Sequence, residues 1–333
     1  MIFHFWSLAG ARGRHDLAKL ARYAGQVVLG YGQDMPFPAL SLIASPTKRL
    51  QILELAEQAE RRGFPALACP TLGNAFGLCA SLAHVTREMR FFTSIQGIYG
   101  ASASDIGSLA SHIAEVSQGR FALGLGVSHE AMVKRLGVTM GPPLSDMKDF
   151  VDALHAAERF GGPLPPIYLA TLRDRMLNLA TEIGQGALWA NASFTHSVQQ
   201  VQRVPADKIA EGFYLANMIP TVISENKSAA RAANRATMAV YVRLPNYRNY
   251  WKACGYVEEM ESIEAAIAHG NNKDHAALMS DAWLDDCTLS GSADEVREGL
   301  NRWYDIGIQP IAVMSSLSGG QIKAIGELFD IYR

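Results

Sequence analysis

The stretch Gly119-Arg-Phe-Ala-Leu-Gly-Leu-Gly-Val-Ser-His129 contains an unbroken run without polar side chains, Phe121–Val127, bounded by turn and polar residues. Such a run predicts a strand buried on both faces of a parallel sheet, because a half-exposed strand would alternate apolar and polar residues. Gly124 and Gly126 lie inside the predicted strand, where glycine lets a ligand or another part of the chain approach the backbone closely. The stretch therefore predicts a central strand with a close neighbour.

The same pattern of short apolar runs separated by helical segments extends in both directions along the chain. One such segment opens at Ser45-Pro46 and stops at Gly63, with proline in the first turn and glycine after the last. The predicted strands are Ala39–Ala44, Pro65–Cys69, Phe91–Ile98, Phe121–Val127, Pro166–Thr171, Ala187–Ala190, Phe213–Val222 and Ile311–Ser315. Eight strand–helix units favour a closed barrel over an open doubly wound sheet.

The predicted fold class is therefore α/β, a single (β/α)8 TIM barrel over residues 38–333. Residues 1–37 form an N-terminal extension to which the pattern assigns no structure. The long stretch between the seventh and eighth strands, roughly residues 240–290, predicts an insertion with extra helices. This insertion contains the aromatic-rich segment Leu244-Pro-Asn-Tyr-Arg-Asn-Tyr-Trp251.

The amino-acid composition of the chain argues against several classes of protein function. The chain has 333 residues, 49% of them hydrophobic, and a net charge of −2 without a basic block, so nucleic acid is not an expected partner. No apolar run approaches the ~20 residues of a membrane span, and the apolar N-terminus lacks a basic flank. We expect a cytoplasmic protein without membrane contact. No histidine, cysteine or carboxylate spacing matches a metal site, so no metal is predicted.

The glycines of the opening stretch do not complete a known nucleotide or hydrolase motif. His129 stands where a dinucleotide-binding fingerprint needs its third glycine, and the GxSxG elbow of serine hydrolases is absent. His129 instead follows the carboxyl end of a predicted strand, the face that carries barrel active sites. It is a candidate acid or base, although a histidine that only hydrogen-bonds a loop would fit as well. Tyr99 and Asn191 also follow predicted strands. Taken alone, each of them is better explained by a structural role in its loop than by a functional one.

The segment Leu172-Arg-Asp-Arg-Met176 joins the fifth predicted strand to its helix. The free amides of a helix start, together with Arg173 and Arg175, are suited to bind a phosphate. A solvated helix start with Asp174 as its N-cap is the alternative.

Taken together, these segments resemble the luciferase-like monooxygenases. The resemblance rests on Gly119–Gly126, Ile167–Ala180, Ser290–Val296 and Gly307–Val313, and runs from about residue 38 to the end. Two further segments point to one branch of this family, the oxidoreductases that depend on the deazaflavin coenzyme F420. The segments that resemble this branch are Gly126-Val-Ser-His129 and Leu244–Asn249. The resemblance implies hydride transfer between F420 and an unknown organic substrate, and homodimers are common in the family.

Two other functions stay open. One is an FMN-dependent monooxygenase that uses O2 and reduced flavin supplied by a separate reductase. The other is an inactive barrel that only binds a cofactor or partner.

The resemblance also implies roles for individual residues. The cofactor ring would rest on a bulge made by a cis Ser94–Ile95 peptide, and the general acid would be His129, or Glu130 after a shift of one residue. The implied cofactor-binding residues are Ser94, Ile95, Gln96, Leu172, Arg173, Asp174, Arg175, Met176 and Asn191. The candidate substrate-binding residues are Thr71, Tyr99 and Tyr247.

This sequence departs from the family pattern at two places. The Asp-His pair that many F420-dependent members carry after the second strand is Thr71-Leu72, so sugar-phosphate dehydrogenase chemistry is not expected. The usual Gly-Pro of the phosphate loop is Arg173-Asp174, which leaves either an arginine-based phosphate site or a weakened one.

Overall fold

Parallel strands pair in sequence and close on themselves in the computed structural model, which describes residues 36–270 and 275–332. The strands are β1 (Ala39–Ser41), β2 (Ala66–Cys69), β3 (Arg90–Thr93), β4 (Gln96–Gly97), β5 (Phe121–Gly126), β6 (Ile167–Ala170), β7 (Gly186–Ala190), β8 (Tyr214–Ile223), β9 (Leu289–Gly291) and β10 (Gln309–Met314). The barrel order is β10-β1-β2-β3-β5-β6-β7-β8, and pairing of β10 with β8 closes it. The predicted (β/α)8 TIM barrel is confirmed.

Helices connect the strands on the outside of the barrel. They are α1 (Arg49–Arg61), α2 (Ala75–Val85), α3 (Ala103–Val116), α4 (Glu130–Arg135), α5 (Pro143–Gly161), α6 (Asp174–Ile183), α7 (Phe194–Val201), α8 (Ala206–Ala210), α9 (Lys227–Tyr241), α10 (Pro245–Ala253), α11 (Val257–Ala268), α12 (Asp281–Cys287), α13 (Ala293–Asp305) and α14 (Gln321–Ile331), with a 3-10 helix at His275–Leu278. Between β8 and β10 lie α9 to α13, so the predicted insertion is confirmed.

Two strand predictions need correction. The third predicted strand, Phe91–Ile98, is interrupted at a cis Ser94–Ile95 peptide and forms β3 and β4, both of which pair with β5. The short strand β9 was not predicted. It pairs only with the last residues of β8, outside the closed ring of eight.

The barrel interior is filled mostly by small side chains. Five alanines from β1, β2, β5 and β8 are buried there with a few larger residues. Phe92, Tyr168 and Tyr214 form an aromatic group inside, with 4.9 Å between the two tyrosine ring centroids. All strands run parallel, so their carboxyl ends meet at one mouth, as active sites of this fold require. Thr71, Ile98, Ser128, Leu172 and Asn191 follow these ends, as predicted.

At the start of the described chain, Phe37 packs against Phe64 and Tyr332 with ring centroids 5.0 and 4.9 Å away, and so belongs to the barrel body. The rest of the predicted extension, residues 1–35, lies outside the described residues. No helix in the described ranges is both long and apolar enough to cross a membrane.

Candidate active site

The interruption of the third strand is held tightly against β5. The Thr93 hydroxyl donates to the carbonyl of Gly124 at 2.8 Å and accepts from the Gly124 amide at 2.9 Å. A Cβ atom at Gly124 would lie 1.8 Å from the Thr93 carbonyl oxygen. The predicted close approach at this glycine is therefore confirmed, and the approaching group is the backbone of β3.

The bulge itself is anchored on both sides. A Cβ atom at Gly126 would lie 2.7 Å from the Ile95 side chain. On the other side, the Thr71 hydroxyl donates to the Ile95 carbonyl and the Ser94 amide donates to the Cys69 carbonyl at 2.8 Å. Thr71, predicted as a substrate contact, therefore uses its hydroxyl to hold the bulge. The Ser94 hydroxyl is buried and has no partner among the described residues.

His129 lies at the mouth as the N-cap residue of α4 and is half-buried. Its Nδ1 atom is buried without a hydrogen-bond partner in the described chain, and its ring centroid is 5.8 Å from that of Tyr247. Burial lowers the pKa of His129 below its ordinary value, and a hydrogen bond with Asn246 opposes this effect. Glu130, the first residue of α4, is exposed.

Asn191 follows β7 in a left-handed backbone conformation, with φ 57°, and is 3% exposed. Its amide donates to the Met218 carbonyl at 2.9 Å, and its carbonyl accepts from Trp251 Nε1 at 3.2 Å. Its side-chain nitrogen Nδ2 is buried and makes no hydrogen bond of normal geometry to a described residue. The hydroxyls of Tyr241 and Tyr247 lie beside this amide.

An aromatic cluster from the insertion covers this side of the mouth. Tyr247 packs against Tyr241 and Trp251 with ring centroids 5.1 and 5.3 Å apart, and Trp251 packs edge-on against Trp283. We call Tyr241, Tyr247 and Trp251 the aromatic roof. Sequence reasoning named only Tyr247 as a site residue. The aromatic composition of Leu244–Trp251 was the available signal, but it does not show where the insertion docks.

The loop after β6 presents positive charge to solvent. Arg173 is the N-cap residue of α6 without a side-chain capping bond, and Arg173 and Arg175 are exposed. Neither guanidinium forms an ion pair or a hydrogen bond with another residue that the structure describes, so both are free to meet a ligand. The first amides of α6 are likewise not capped by a side chain.

Asp174 is not the N-cap that one alternative predicted, because it is the first helical residue of α6. Its carboxylate accepts from Gln200 Nε2 at 3.2 Å and pairs with Arg203 at 3.2 Å. Gln200 Nε2 also donates to the Leu172 carbonyl at 3.0 Å. These contacts of Asp174 and Leu172 hold the loop in place. The side chains of Arg173 and Arg175 remain available to bind a ligand.

Other predicted residues are less available for binding. The Tyr99 hydroxyl donates to Asp146, and burial followed by this carboxylate raises the pKa of Tyr99 to about 12. That hydroxyl is therefore already used. Gln96 Nε2 donates to the Gly97 carbonyl at 3.1 Å, and Met176 is half-buried against the core.

The sequence profile described as luciferase-like monooxygenase matches residues 35–309, most of the chain. This chain belongs to that family. It is 27% identical over 312 residues to the 5,10-methylenetetrahydromethanopterin reductase of Methanolobus tindarius, covering 83% of this chain and 93% of that protein. The predicted family and the prediction of an oxidoreductase are confirmed.

Two solved structures with low sequence identity share the barrel fold. The coenzyme F420-dependent tetrahydromethanopterin reductase of Methanopyrus kandleri aligns with TM-score 0.69 and 17% identity, covering 88% of this chain and 96% of that one. The oxygenating constituent of 3,6-diketocamphane monooxygenase from Pseudomonas putida, in complex with FMN, aligns with TM-score 0.58 and 13% identity, covering 89% and 96%.

The mouth of this luciferase-like barrel fits a ligand with a ring and a phosphate. Ser94 Oγ, His129 Nδ1 and Asn191 Nδ2 are buried polar atoms without partners in the described chain, and each follows a different strand at this end. These three atoms are therefore available to hydrogen-bond a ligand at the mouth. Arg173 and Arg175 add the charge that a phosphate requires.

Proposed function

We propose that this protein transfers a hydride between coenzyme F420 and a small organic substrate. The observation that carries the proposal is the anchored bulge of Ser94 and Ile95 at the same mouth as the free arginines of the β6 loop. The F420 dependence of similar proteins, among them the Methanopyrus kandleri reductase, supports this cofactor over FMN.

Separate parts of the mouth would bind the two ends of the cofactor. Ser94, Ile95 and Gln96 would support the ring, while Arg173, Arg175 and the uncapped amides of α6 would bind the phosphate. The bound deazaflavin supplies the hydride donor or acceptor. The protein would position the cofactor and the substrate, and the aromatic roof would shield the reacting atoms from water.

His129 is the proposed proton-transfer residue, through Nδ1. Since burial lowers the pKa of His129, the imidazole is neutral at neutral pH and ready to take a proton from a substrate that is being oxidised. In the reverse direction the protonated ring would return this proton. Glu130 is the weaker candidate because its side chain is exposed.

We propose a cytoplasmic enzyme, acting on a small molecule and assembling as a homodimer. A separate reductase would be needed only if FMN and O2 replaced F420.

Binding and turnover with F420, FMN and NADPH, each measured separately on the purified protein, test the proposed function. We expect F420 to bind at least about tenfold more tightly than FMN, a difference of ~1.4 kcal/mol. Tighter binding of FMN, with O2 consumption when reduced flavin is supplied, would instead support a monooxygenase. If neither binds, the protein is not a flavin or deazaflavin enzyme.

The double substitution Arg173→Ala and Arg175→Ala is expected to weaken F420 binding at least about tenfold, since a hydrogen bond to a charged group contributes ~1.5–3 kcal/mol. Fluorescence titration of F420 measures this effect. The matched control replaces Arg49 and Arg61, two exposed arginines of α1, and should leave the affinity unchanged. An unchanged affinity in the Arg173/Arg175 variant would show that the phosphate binds elsewhere.

A further inference from the structure

A cavity of about 70 Å³ lies at the amino ends of the barrel strands, at the end opposite the mouth. Its lining includes residues that begin a strand, among them Ala66 of β2, Arg90 of β3, Tyr214 of β8 and Gln309 of β10. We call it the basal cavity. One water needs only ~10–15 Å³ of such space, so the basal cavity has room for a group of several non-hydrogen atoms.

The alternation of side chains along the strands directs an arginine toward this cavity. Residues two positions apart in a strand share one face. Phe92 and Ile311 are buried in the barrel interior, so Arg90 and Gln309 lie on the interior face of the same two strands. Both residues line the basal cavity. Arg90 therefore stands in the lowest layer of the barrel interior, on the amino side of Phe92.

Aromatic rings form the inner wall of the basal cavity. Phe92, Tyr168 and Tyr214 line it, and the Phe92 ring is edge-on to both tyrosines with centroids 5.7 Å apart. Ala66 and Ala122 are also part of the lining, and their small side chains leave the space beside the rings open. The wall is therefore mostly apolar and suited to the hydrocarbon part of a ligand.

The Arg90 guanidinium has no counter-charge in this cavity. It forms no ion pair or hydrogen bond with another residue that the structure describes, and no aspartate or glutamate is among the described lining residues. Arg120 also lines the cavity, but its guanidinium already donates to three backbone carbonyls and to Thr86 Oγ1. Because Arg90 is half-buried, its charge is only partly hydrated and favours an anionic partner.

Two phenols add neutral donors to this charge. Neither Tyr168 nor Tyr214 forms a hydrogen bond with another residue in the described ranges. Burial raises the pKa of both phenols, and the positive charge of Arg90 acts in the opposite direction, so both hydroxyls stay protonated near a guanidinium. Gln309 adds no donor, because its Nε2 atom already donates to the Tyr304 hydroxyl at 2.6 Å and to a backbone carbonyl at 3.3 Å.

We propose that the basal cavity binds a small monocarboxylate, with the carboxylate on the Arg90 guanidinium and the short hydrocarbon part against the aromatic wall. A carboxylate matches the guanidinium both in charge and in the spacing of its two oxygens. A phosphate carries more charge and has no apolar part, so it is less suited to this lining. Binding there does not depend on hydride transfer, because the proposed cofactor site is at the other end of the barrel.

Titration of the full chain with butyrate and with its neutral isostere butyramide tests the site, and ligand-observed NMR measures both affinities. We expect butyrate to bind at least about fivefold more tightly, because a hydrogen bond to a charged group is stronger than a neutral one. Inorganic phosphate should bind more weakly than butyrate. Arg90→Met removes the charge and keeps an unbranched side chain, and it should weaken butyrate binding at least about tenfold while butyramide binding changes little.

Two variants are matched controls. Arg87→Met removes an exposed arginine that precedes β3, and the Arg173→Ala/Arg175→Ala variant removes the free arginines of the mouth. Both should bind butyrate as wild type does. Thermal unfolding of each variant shows whether it is folded. Should Arg90→Met fail to fold, the polar replacement Arg90→Gln takes its place with the same expected loss.

Several results would overturn the assignment. Butyrate might fail to bind wild type, or bind no more tightly than butyramide, and then no anion site exists. Butyrate binding that survives the loss of Arg90 would remove the basal cavity from the interaction. Butyrate binding that is lost only in the Arg173/Arg175 variant would place the anion at the mouth. Tighter binding of phosphate than of butyrate, with the same dependence on Arg90, would refute the carboxylate as the ligand class.

Discussion

Replacement of His129 by alanine is expected to lower turnover by ~10²–10⁴ while F420 affinity stays near that of wild type. The imidazole lies at the mouth with Nδ1 buried and without a described partner, so a substrate can meet it there. It is not among the residues that would support the ring or the phosphate. Steady-state turnover and F420 titration on the same preparation measure the two effects separately.

The matched control is Glu130→Gln, one residue further along. The exposed Glu130 side chain starts α4 and should be dispensable, leaving turnover near wild type. The opposite pattern would move the proton transfer to Glu130. Near-normal turnover in both variants would show that this loop transfers no proton and that positioning of the cofactor is sufficient.

The lowered pKa of His129 determines in which direction the reaction rate changes with pH. Burial lowers the pKa of His129, with Asn246 opposing, so the neutral base is present at neutral pH. The rate of substrate oxidation should be flat near neutral pH and fall as pH drops through this lowered pKa. The rate of reduction should instead rise toward acid, because the protonated ring is then the donor. Both dependences should disappear from the kcat/KM profile of His129→Ala.

Local patterns predicted the barrel because its strands face the helices on one side and the apolar barrel interior on the other, so both faces are buried. Phe121–Gly126 is buried at every position, so its apolar run is continuous and easily recognised. The capping box formed by Ser292 and Glu295 at the start of α13 is also local, and it lies in one of the segments that carry the resemblance. Such features depend on residues a few positions apart, which the sequence displays directly.

The aromatic roof could not be predicted, because its contacts join distant parts of the chain. Trp251 donates to the Asn191 carbonyl across 60 positions, and the Ser193 amide donates to the Tyr250 hydroxyl across 57. No periodicity encodes such docking. The strand β9 was missed for a related reason, since three residues with a serine and a glycine carry no strand pattern and are held only by the end of β8.

At the loop after β6 the sequence predicted a helix start correctly, but it could not show which groups the Asp174 carboxylate binds. The sequence placed a helix start at this loop and left two alternatives open, a phosphate site and a solvated helix start capped by Asp174. In the fold, Gln200 and Arg203 from the following helical region bind this carboxylate instead. The helix amides are thereby left for a ligand, which favours the phosphate site over the solvated helix start.

Substitution of Gly124 by alanine is expected to destabilise the protein by about 3 kcal/mol or more, at the upper end of what overpacking of a core costs. The added Cβ would lie 1.8 Å from the Thr93 carbonyl oxygen and 3.1 Å from the Leu188 side chain. Because the closest atom belongs to the backbone, a change of rotamer cannot relieve the contact. β3 would have to move away from β5 and lose both hydrogen bonds of the Thr93 hydroxyl.

Chemical denaturation at equilibrium measures this loss, and F420 titration of the folded fraction should show weakened binding, because β3 leads directly into the bulge. The matched control is Gly326→Ala in α14, where an added Cβ meets no atom within 4 Å. That variant should be neutral or more stable by ~0.5–1 kcal/mol, as expected for glycine to alanine in a helix. A Gly124→Ala protein with the stability and F420 affinity of wild type would mean that β3 can withdraw freely from β5. The bulge would then not be a fixed support for the ring, and the assignment of Ser94 and Ile95 to the cofactor would lose its structural basis.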